Sequence, residues 1–570
     1  GIMKKNINKE KIVRRTVIKE LPHFWAYSIL SGIISLLIQT IGLVPTILMQ
    51  QIIDRFIPNK DLRAISIFIF LFCIIPLFAT MLSAIYRYKL AIVCRKMGLK
   101  LAIKGFENLT YQSVSYFDKE NSSELAAYCR GEAMKYIVFW MIDIPQLIAT
   151  GLTGIIVFSY VFALNWGLAL FLLFYIPIAF FPSNGFANKV QTLTEKIVDN
   201  NAKMNQIIND TFRGIKFVKA MVLEKIQINR LKEVNEQSVS IWSKVALYDN
   251  MSGIWVDNFS DTLFTGVTFG LTSYLIVIGK MTLGSLIVIL NYTGRFLGVI
   301  KQFMHTNYNF KAQLGEYDKL FDIITMPIPH ADENVPFLYK DNIQFSDVTF
   351  AYTEERGNVL KSLNLTIHKN EWLGIVGASG TGKTTIFDLI LKFYSPQDGT
   401  ITIDGTGIDV IDSQSLRSKI AKVSQDTFLF PGTIKDNLLL GNADATDEQL
   451  NDILKKVSLD NFIGTLQDGL NTDIGENGLL LSGGERQKLG LAQGLLRNCE
   501  VILLDEVTAN LDRVSEEEIK NVLRMIKQER NLTIITISHR IDFLKDVDRI
   551  VVLDNGCIKE ETTYNKYAMK

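Results

Sequence analysis

Six apolar runs, near residues 25–50, 65–86, 136–163, 167–183, 254–278 and 283–303, set the first limit on what this chain can become. Each is close to the ~20 residues with which an α-helix crosses the hydrocarbon of a bilayer, where a helix satisfies its own backbone hydrogen bonds. The reading is six membrane-spanning helices. Composition agrees, since 48% of the 570 residues are apolar and the mean hydropathy is +0.18, too apolar for an ordinary soluble protein and too long for one core. The 60 basic and 59 acidic residues leave a net charge of +1, which gives no electrostatic case for nucleic acid as a partner.

Lysine and arginine set the direction of the spans. Lys4, Lys5, Lys9, Lys11, Arg14, Arg15 and Lys19 precede the first run, and basic residues crowd the long segments 87–135 and 184–250. The other connections, near 55–64, 164–166 and 279–282, are short. By the positive-inside rule both termini are expected in the cytoplasm and the protein in a cell membrane, with lipid as its surroundings and no cleavable signal peptide. Helical periodicity persists in "MGLKLAIKGFENLTYQ" (97–112) and "NKVQTLTEKIVDNNAKMNQIIND" (188–210), so spans 2 to 5 are expected to continue as long helices; separate small helices are the alternative. The five cysteines are scattered, with no CxxC pair, and read as free thiols of a reducing interior.

Composition changes at "TMPIPHADENVPF" (325–337), where Pro327, Pro329 and Pro336 break any helix. The expected organisation is a membrane domain over 1–325, a linker over 326–340 and a second domain over 341–570. In the last, "WLGIVG" (372–377), "VILLDE" (501–506), "TIITISH" (533–539) and "RIVVLDNG" (549–556) are short β-branched runs with helical patterns between them. This is the pattern of an α/β domain with a buried sheet.

"GASGTGKTT", Gly377, Ala378, Ser379, Gly380, Thr381, Gly382, Lys383, Thr384 and Thr385, follows the first of those strands and opens a helix. Its glycines let backbone N–H groups close around a phosphate at the positive end of the helix. Lys383 is then placed for the β and γ phosphates of a nucleotide, and the Thr384 hydroxyl for Mg²⁺. Asp505, at the end of "VILLD", is the matching Mg²⁺ ligand, and the adjacent Glu506 the residue that polarises an attacking water. Taken alone, an Asp-Glu strand end could simply cap a helix. "LLSGGERQKLGLAQGLLRN" (480–498) supplies a second glycine-led helix N-terminus, which a nucleotide held by another copy of the domain would explain.

With these motifs in place the chain resembles an ATP-binding-cassette exporter half-transporter: an α-helical membrane domain of six spans followed by an α/β P-loop NTPase domain with a helical subdomain. The resemblance covers nearly the whole chain, and "LSGGERQ" (481–487) is its most specific part. It implies ATP and Mg²⁺ as cofactors. Tyr352 is then the aromatic that stacks on adenine, Gln425 the glutamine that senses Mg²⁺ and water, and His539 of "ISHR" the histidine at the γ-phosphate. Asp512 closes "ANLD", while Ser482, Gly483 and Gly484 would hold the γ-phosphate of the ATP on the opposite subunit. "TDIGENG" (472–478), with Glu476, is close to the segment that meets the partner's intracellular loops. "YFDKENSSELAAYCRGE" (116–132) and "FRGIKFVKAMVLE" (212–224) resemble the stretches around the two coupling helices, though plain amphipathic helices would also fit.

Val507 and Asn510 depart from the commoner residues of the family, and the tail lacks the usual Gly-Thr-His ending. Every catalytic group is present, so the resemblance favours a homodimer with two working sites over an unlike pair. It implies ATP-driven export of an amphipathic or hydrophobic peptide or drug-like compound by alternating access, with a lipid flippase as the runner-up. Import and an ATP-gated channel remain open. With no cysteine-peptidase domain ahead of the spans, a leader-cleaving peptide exporter is not expected. Asp257 and Asp261, four apart, and Arg295 are the candidate substrate residues. Asp257 and Asp261 read either as an acidic cavity wall that suits a cationic peptide or drug or as structural pairs across helices; Arg87 and Lys89, with Arg295, are candidates for a lipid headgroup.

Overall fold

A chain that must leave no backbone polar group bare in lipid is driven into helices, and the first half of this one is helical almost throughout. The computed structural model describes residues 21–120, 125, 131, 133–327, 335–353, 355, 357–475, 478–508 and 513–569. It divides into two compact units, residues 1–111 with 120–327 and residues 112–119 with 328–570.

In the first unit α1 (Phe24–Ile41) breaks at Gly42 and resumes as α2 (Val44–Gln51). The 49-residue α3 (Leu62–Thr110) starts at Asp61, whose carboxylate caps the Ala64 N–H at 3.0 Å. At 1.5 Å per residue α3 is about 70 Å long, more than twice the ~30 Å of hydrocarbon, so it extends well beyond the membrane. The short α4 (Val114–Phe117) follows, and then α5 (Ala133–Val138), α6 (Ile144–Leu164) and α7 (Trp166–Leu173), the last capped by the Asn165 side chain. The 39-residue α8 (Tyr175–Arg213), the short α9 (Ile215–Ala220) and the 30-residue α10 (Glu224–Gly253) form the second long excursion. Here and in α3 the expected continuous helices form rather than separate small ones. The unit closes with α11 (Asp261–Val277) and α12 (Leu283–Thr325).

Among the described residues five helices, Phe24–Phe56, Leu62–Thr110, Ala133–Leu164, Trp166–Arg213 and Leu283–Asn307, are long and apolar enough to cross a membrane. The run expected as a further span near 254–278 is helical as well, a π-helical turn at Ile254–Ser260 followed by the 17-residue α11, and is not among those five. Two more π turns lie at Ile52–Phe56 and Phe139–Asp143. Inside, Val157, Leu172, Tyr175, Phe264, Tyr292 and Leu297 pack together. Outside, Ile29, Leu77 and Phe181 are more than half exposed, the surface expected of helices that face acyl chains.

The second unit holds two sheets. A six-stranded sheet runs in the order β10 (Cys557–Thr562), β9 (Arg549–Asp554), β3 (Trp372–Gly377), β8 (Thr533–Ile537), β7 (Val501–Asp505), β6 (Ile420–Val423). It is parallel except for β10. A four-stranded antiparallel sheet orders β2 (Leu360–His368), β1 (Asn342–Phe350), β4 (Asp398–Ile403) and β5 (Thr406–Gly407).

The parallel sheet is buried on both faces because alternate residues feed two separate cores. Leu373, Ile375, Val501 and Leu503 enter one, while Trp372, Val376, Ile502 and Leu504 enter the other. The register sets Asp505 against Ile537 and Gly377 against Leu553, so the loops after β3, β7 and β8 leave from the same carboxyl edge.

Replacing Leu503, which is fully buried in β7 between β8 and β6, by Ala is expected to cost about 3 kcal/mol. Urea unfolding, followed by the loss of ATP hydrolysis, would read this as a lower midpoint.

Candidate functional site

The loop after β3 takes the shape that glycine allows. Gly380 and Gly382 have φ of 82° and 94°, and a Cβ on Gly377 would stand 2.5 Å from the Leu553 carbonyl oxygen. Gly382 then opens α13 (Lys383–Ile390) with no side-chain cap, which leaves the helix N-terminus facing the loop. The Lys383 side chain is buried, and its ammonium donates to the Gly377 and Ala378 carbonyls at 2.9 and 2.8 Å. Burial pushes its pKa down, while Glu506 and Asp505 act the other way.

The carboxylates come from the end of β7. Asp505 lies 3.5 Å from the Thr384 hydroxyl, and burial raises its pKa against the pull of Lys422. Glu506 has left the strand with φ at 51°, a left-handed conformation in a non-glycine residue, and its N–H donates to the Ile537 carbonyl at 3.0 Å. Its Oε1 stands 2.9 Å from Nε2 of His539, which leaves the end of β8. The side chains that the sequence singled out at 383, 384, 505, 506 and 539 therefore meet around one strand edge.

Tyr352 reaches the same loop from the other sheet. Its hydroxyl donates to Asp388 at 3.1 Å and lies 3.1 Å from the Thr385 hydroxyl, and burial pushes its pKa up to about 12. One face of the residue stays open, at 39% exposure, and Phe350 and Tyr394 meet it edge-on. The Gln425 side chain is exposed after β6, and its carbonyl accepts from Gln487 at 3.2 Å. Gln487 belongs to α14 (Gly483–Leu496), whose N-terminus carries Ser482, Gly483 and Gly484. Ser482 and Glu485 form a reciprocal capping box there, and Ser482 itself is exposed. Glu476, Asn510 and Asp512 lie outside the described residues.

Several neighbours carried no sequence signal. Asp388 also accepts from Lys422 at 2.9 Å, which fixes the carboxylate that holds Tyr352. Arg540, next to His539, donates to the Thr508 carbonyl at 3.2 Å and pairs with Glu516 of α15 (Arg513–Arg530). Residues 112–119, which count with this unit, bring Asp118 to within 2.5 Å of the Tyr394 hydroxyl. Each pairing depends on which strands lie side by side, and spacing along the chain does not reveal that.

In the membrane unit Asp261 accepts from the Tyr175 hydroxyl at 2.9 Å and pairs with Lys301. It is a structural pair across helices. Arg295 donates to the Gly42 carbonyl at 2.7 Å and lines a cavity. A π turn at Ile254–Ser260 precedes Asp261, and the Asp257 side chain lies outside the described residues.

Comparison with known proteins adds the following. Residues 28–300 match the family described as the ABC transporter transmembrane region, and residues 360–509 that described as ABC transporter. An ATP-dependent lipid A-core flippase of Desulfotalea psychrophila is 30% identical over 528 residues, 91% of this chain and 90% of its own length. A multidrug resistance ABC transporter ATP-binding and permease protein of Lactococcus lactis is 29% identical over 95% of this chain and 90% of its own. The alpha-hemolysin translocation ATP-binding protein of Escherichia coli O157:H7 is 27% identical over 94% and 76%. The solved structure of a bacterial Atm1-family ABC exporter with ATP bound superposes with a TM-score of 0.88 over 95% of this chain and 97% of that one, at 23% identity.

Gly382→Ala would put a Cβ 2.6 Å from Leu360 Cδ2 at a backbone angle that alanine resists. ATP binding, read by displacement of trinitrophenyl-ATP, is expected to weaken at least tenfold.

Proposed function

The chain belongs to the ABC transporters of exporter type, a membrane region and an ATP-hydrolysing region fused as a half-transporter, and on that premise we propose how its residues drive transport and what they move. The 2.9 Å contact between Glu506 and His539, at the strand edge that carries Lys383, is the observation that carries the proposal. It supports a complete hydrolytic site in every copy and hence a homodimer; the distribution of Lys and Arg around the spans supports a place in the cytoplasmic membrane with both termini in the cytoplasm.

In this reading the N–H groups of residues 377–385 receive the phosphates of ATP, and Tyr352 offers its open face to adenine. Lys383 exchanges its two loop carbonyls for the β and γ phosphates. Glu506 orients and deprotonates the attacking water, and His539 holds that carboxylate and meets the γ-phosphate. Ser482, Gly483 and Gly484 of one copy close on the nucleotide of the other, with Asp512 beside them. Binding free energy that is larger in the closed pair than in the open one moves the membrane helices from inward- to outward-facing, and hydrolysis resets them.

Thr384 and Asp505 suit Mg²⁺, with Gln425 as a further ligand. A buried carboxylate beside a hydroxyl, with its pKa raised by desolvation, is one that a cation would relieve. When bound, Mg²⁺ would neutralise phosphate charge.

The substrate is an amphipathic or hydrophobic compound, peptide or drug-like. Lipid flipping is the second reading, favoured by the arginine-lined cavity of the membrane unit. The test is ATP-dependent uptake of a fluorescent amphipathic peptide and of a labelled phospholipid into inside-out proteoliposomes. Accumulation that disappears in Glu506→Gln supports export; hydrolysis without movement of either probe contradicts this choice of substrate.

Two further outcomes are expected. Glu506→Gln lowers hydrolysis by roughly 100-fold or more while ATP affinity stays within about threefold, because a general base is removed and no binding group is. Asp505 has a raised pKa in the fold, so without a cation its charge opposes folding above that pKa, and the penalty lifts as pH falls. A metal ligand must be ionised, so the Mg²⁺ concentration for half-maximal hydrolysis rises as pH falls through that pKa.

A further inference from the structure

Two carboxylates of the membrane spans are answered by named partners. Asp261 takes Lys301 and Tyr175, and Asp54 accepts from the Thr282 hydroxyl at 2.6 Å and the Gly284 N–H at 2.8 Å. Asp143 and Asp249 line one cavity, of about 740 Å³, together with Lys301 and His305, so that cavity holds both signs. A second cavity, of about 750 Å³, lies among α1, α2, α3 and α12 and holds one sign only. Arg87 and Arg295 line it with Asn291, Thr80 and apolar residues such as Phe72 and Met49, and no Asp or Glu is among its lining.

Arg295 spends one N–H on the Gly42 carbonyl, at the break between α1 and α2. A carbonyl is a neutral acceptor, so the charge and the other donors of the guanidinium stay unanswered. Among the described residues neither arginine has a carboxylate partner. Position sharpens the point. Arg295 follows the start of α12 at Leu283 by about 18 Å of helix, close to the middle of a ~30 Å hydrocarbon layer. Arg87 follows Phe72 along α3 by about 22 Å, toward the end from which the long helical extension leaves. A guanidinium at such depth is costly unless an anion or water meets it.

We infer that this cavity binds the anionic group of an amphiphile, a phosphate or carboxylate attached to an apolar chain. The inference rests on the export reading above and adds the sign of the substrate's charge. Guanidinium forks match oxyanions in paired hydrogen bonds, and two of them at different depths give a headgroup one site near the cavity's mouth and another further in. Phe72 and Met49 offer the chain an apolar wall, and the volume falls in the range of small-molecule sites.

The test uses the full-length protein in phosphatidylcholine nanodiscs, with dodecyl phosphate, dodecyltrimethylammonium and inorganic phosphate as added probes and dioleoyl phosphatidic acid as the membrane-borne one. Dodecyl phosphate or phosphatidic acid is expected to change ATP hydrolysis in a saturable way, and the cationic probe and inorganic phosphate to act only at far higher concentration. A response to phosphatidic acid alone assigns the anion to a membrane lipid, and one to dodecyl phosphate alone to a soluble amphiphile. Arg87→Gln and Arg295→Gln are each expected to raise the half-maximal concentration at least tenfold, with Arg295→Lys recovering most of the response. Native mass spectrometry of retained lipid gives a second reading, in which enrichment of phosphatidic acid over phosphatidylcholine is lost in both glutamine variants. Equal action by the cationic probe, or glutamine variants that respond and retain lipid as the parent does, overturns the inference. Its failure is told apart from failure of the export reading by Glu506→Gln: an inactive mutant beside an active parent keeps that reading, whatever the probes do.

Discussion

The second unit depends on a helix N-terminus that has no cap of its own. Gly382 offers α13 no side chain, the loop before it curls through left-handed glycines, and Lys383 finds only the carbonyls of Gly377 and Ala378. Positive potential is thus concentrated at the loop, offset within the fold by the carboxylates of Asp505 and Glu506. The two-sided core of the parallel sheet holds this arrangement rigid and delivers Asp505, Glu506 and His539 to the same edge. Proposed ATP binding completes a site that the fold leaves electrostatically open.

The membrane unit follows a different rule. Its backbone is satisfied by helices, and many of its hydroxyls return to the carbonyl one turn back, as Thr40 does to Leu36 and Thr272 to Thr268, so specificity has to come from the charged groups that such bonds leave unanswered. Three π turns interrupt the spans, and Asp54, in one of them, ties the start of α12 through Thr282 and Gly284. The arginine-lined cavity is where the unit's own residues offer no counter-charge, and on the proposal made here the substrate supplies it.

Much of this was legible in the chain. The strand runs at 372, 501, 533 and 549 form within a residue or two of where the short β-branched runs put them, because a sheet buried on both faces leaves a continuous apolar signature. The loop from Gly377 to Thr385 was equally clear, since its glycines follow from backbone geometry. What spacing could not supply was pairing in space. Spacing along the chain put Asp261 beside Asp257, and it could not show that Asp261 answers Lys301, a residue on another helix. Asp388, Lys422 and Tyr394 support Tyr352 only because β1, β6 and α13 converge.

The central claim is that the phosphate loop of one copy and the Ser482 helix of another share one ATP. It is tested most directly by disulfide trapping, with Ser379→Cys in one chain and Ser482→Cys in a differently tagged second chain, both lacking the five native cysteines and carrying Glu506→Gln. The account expects a bond between the two chains that forms with ATP and Mg²⁺ and not without nucleotide. Failure to form it in a protein that still binds ATP, or a bond that forms equally without nucleotide, would contradict the shared site and with it the proposed means by which ATP moves the membrane helices.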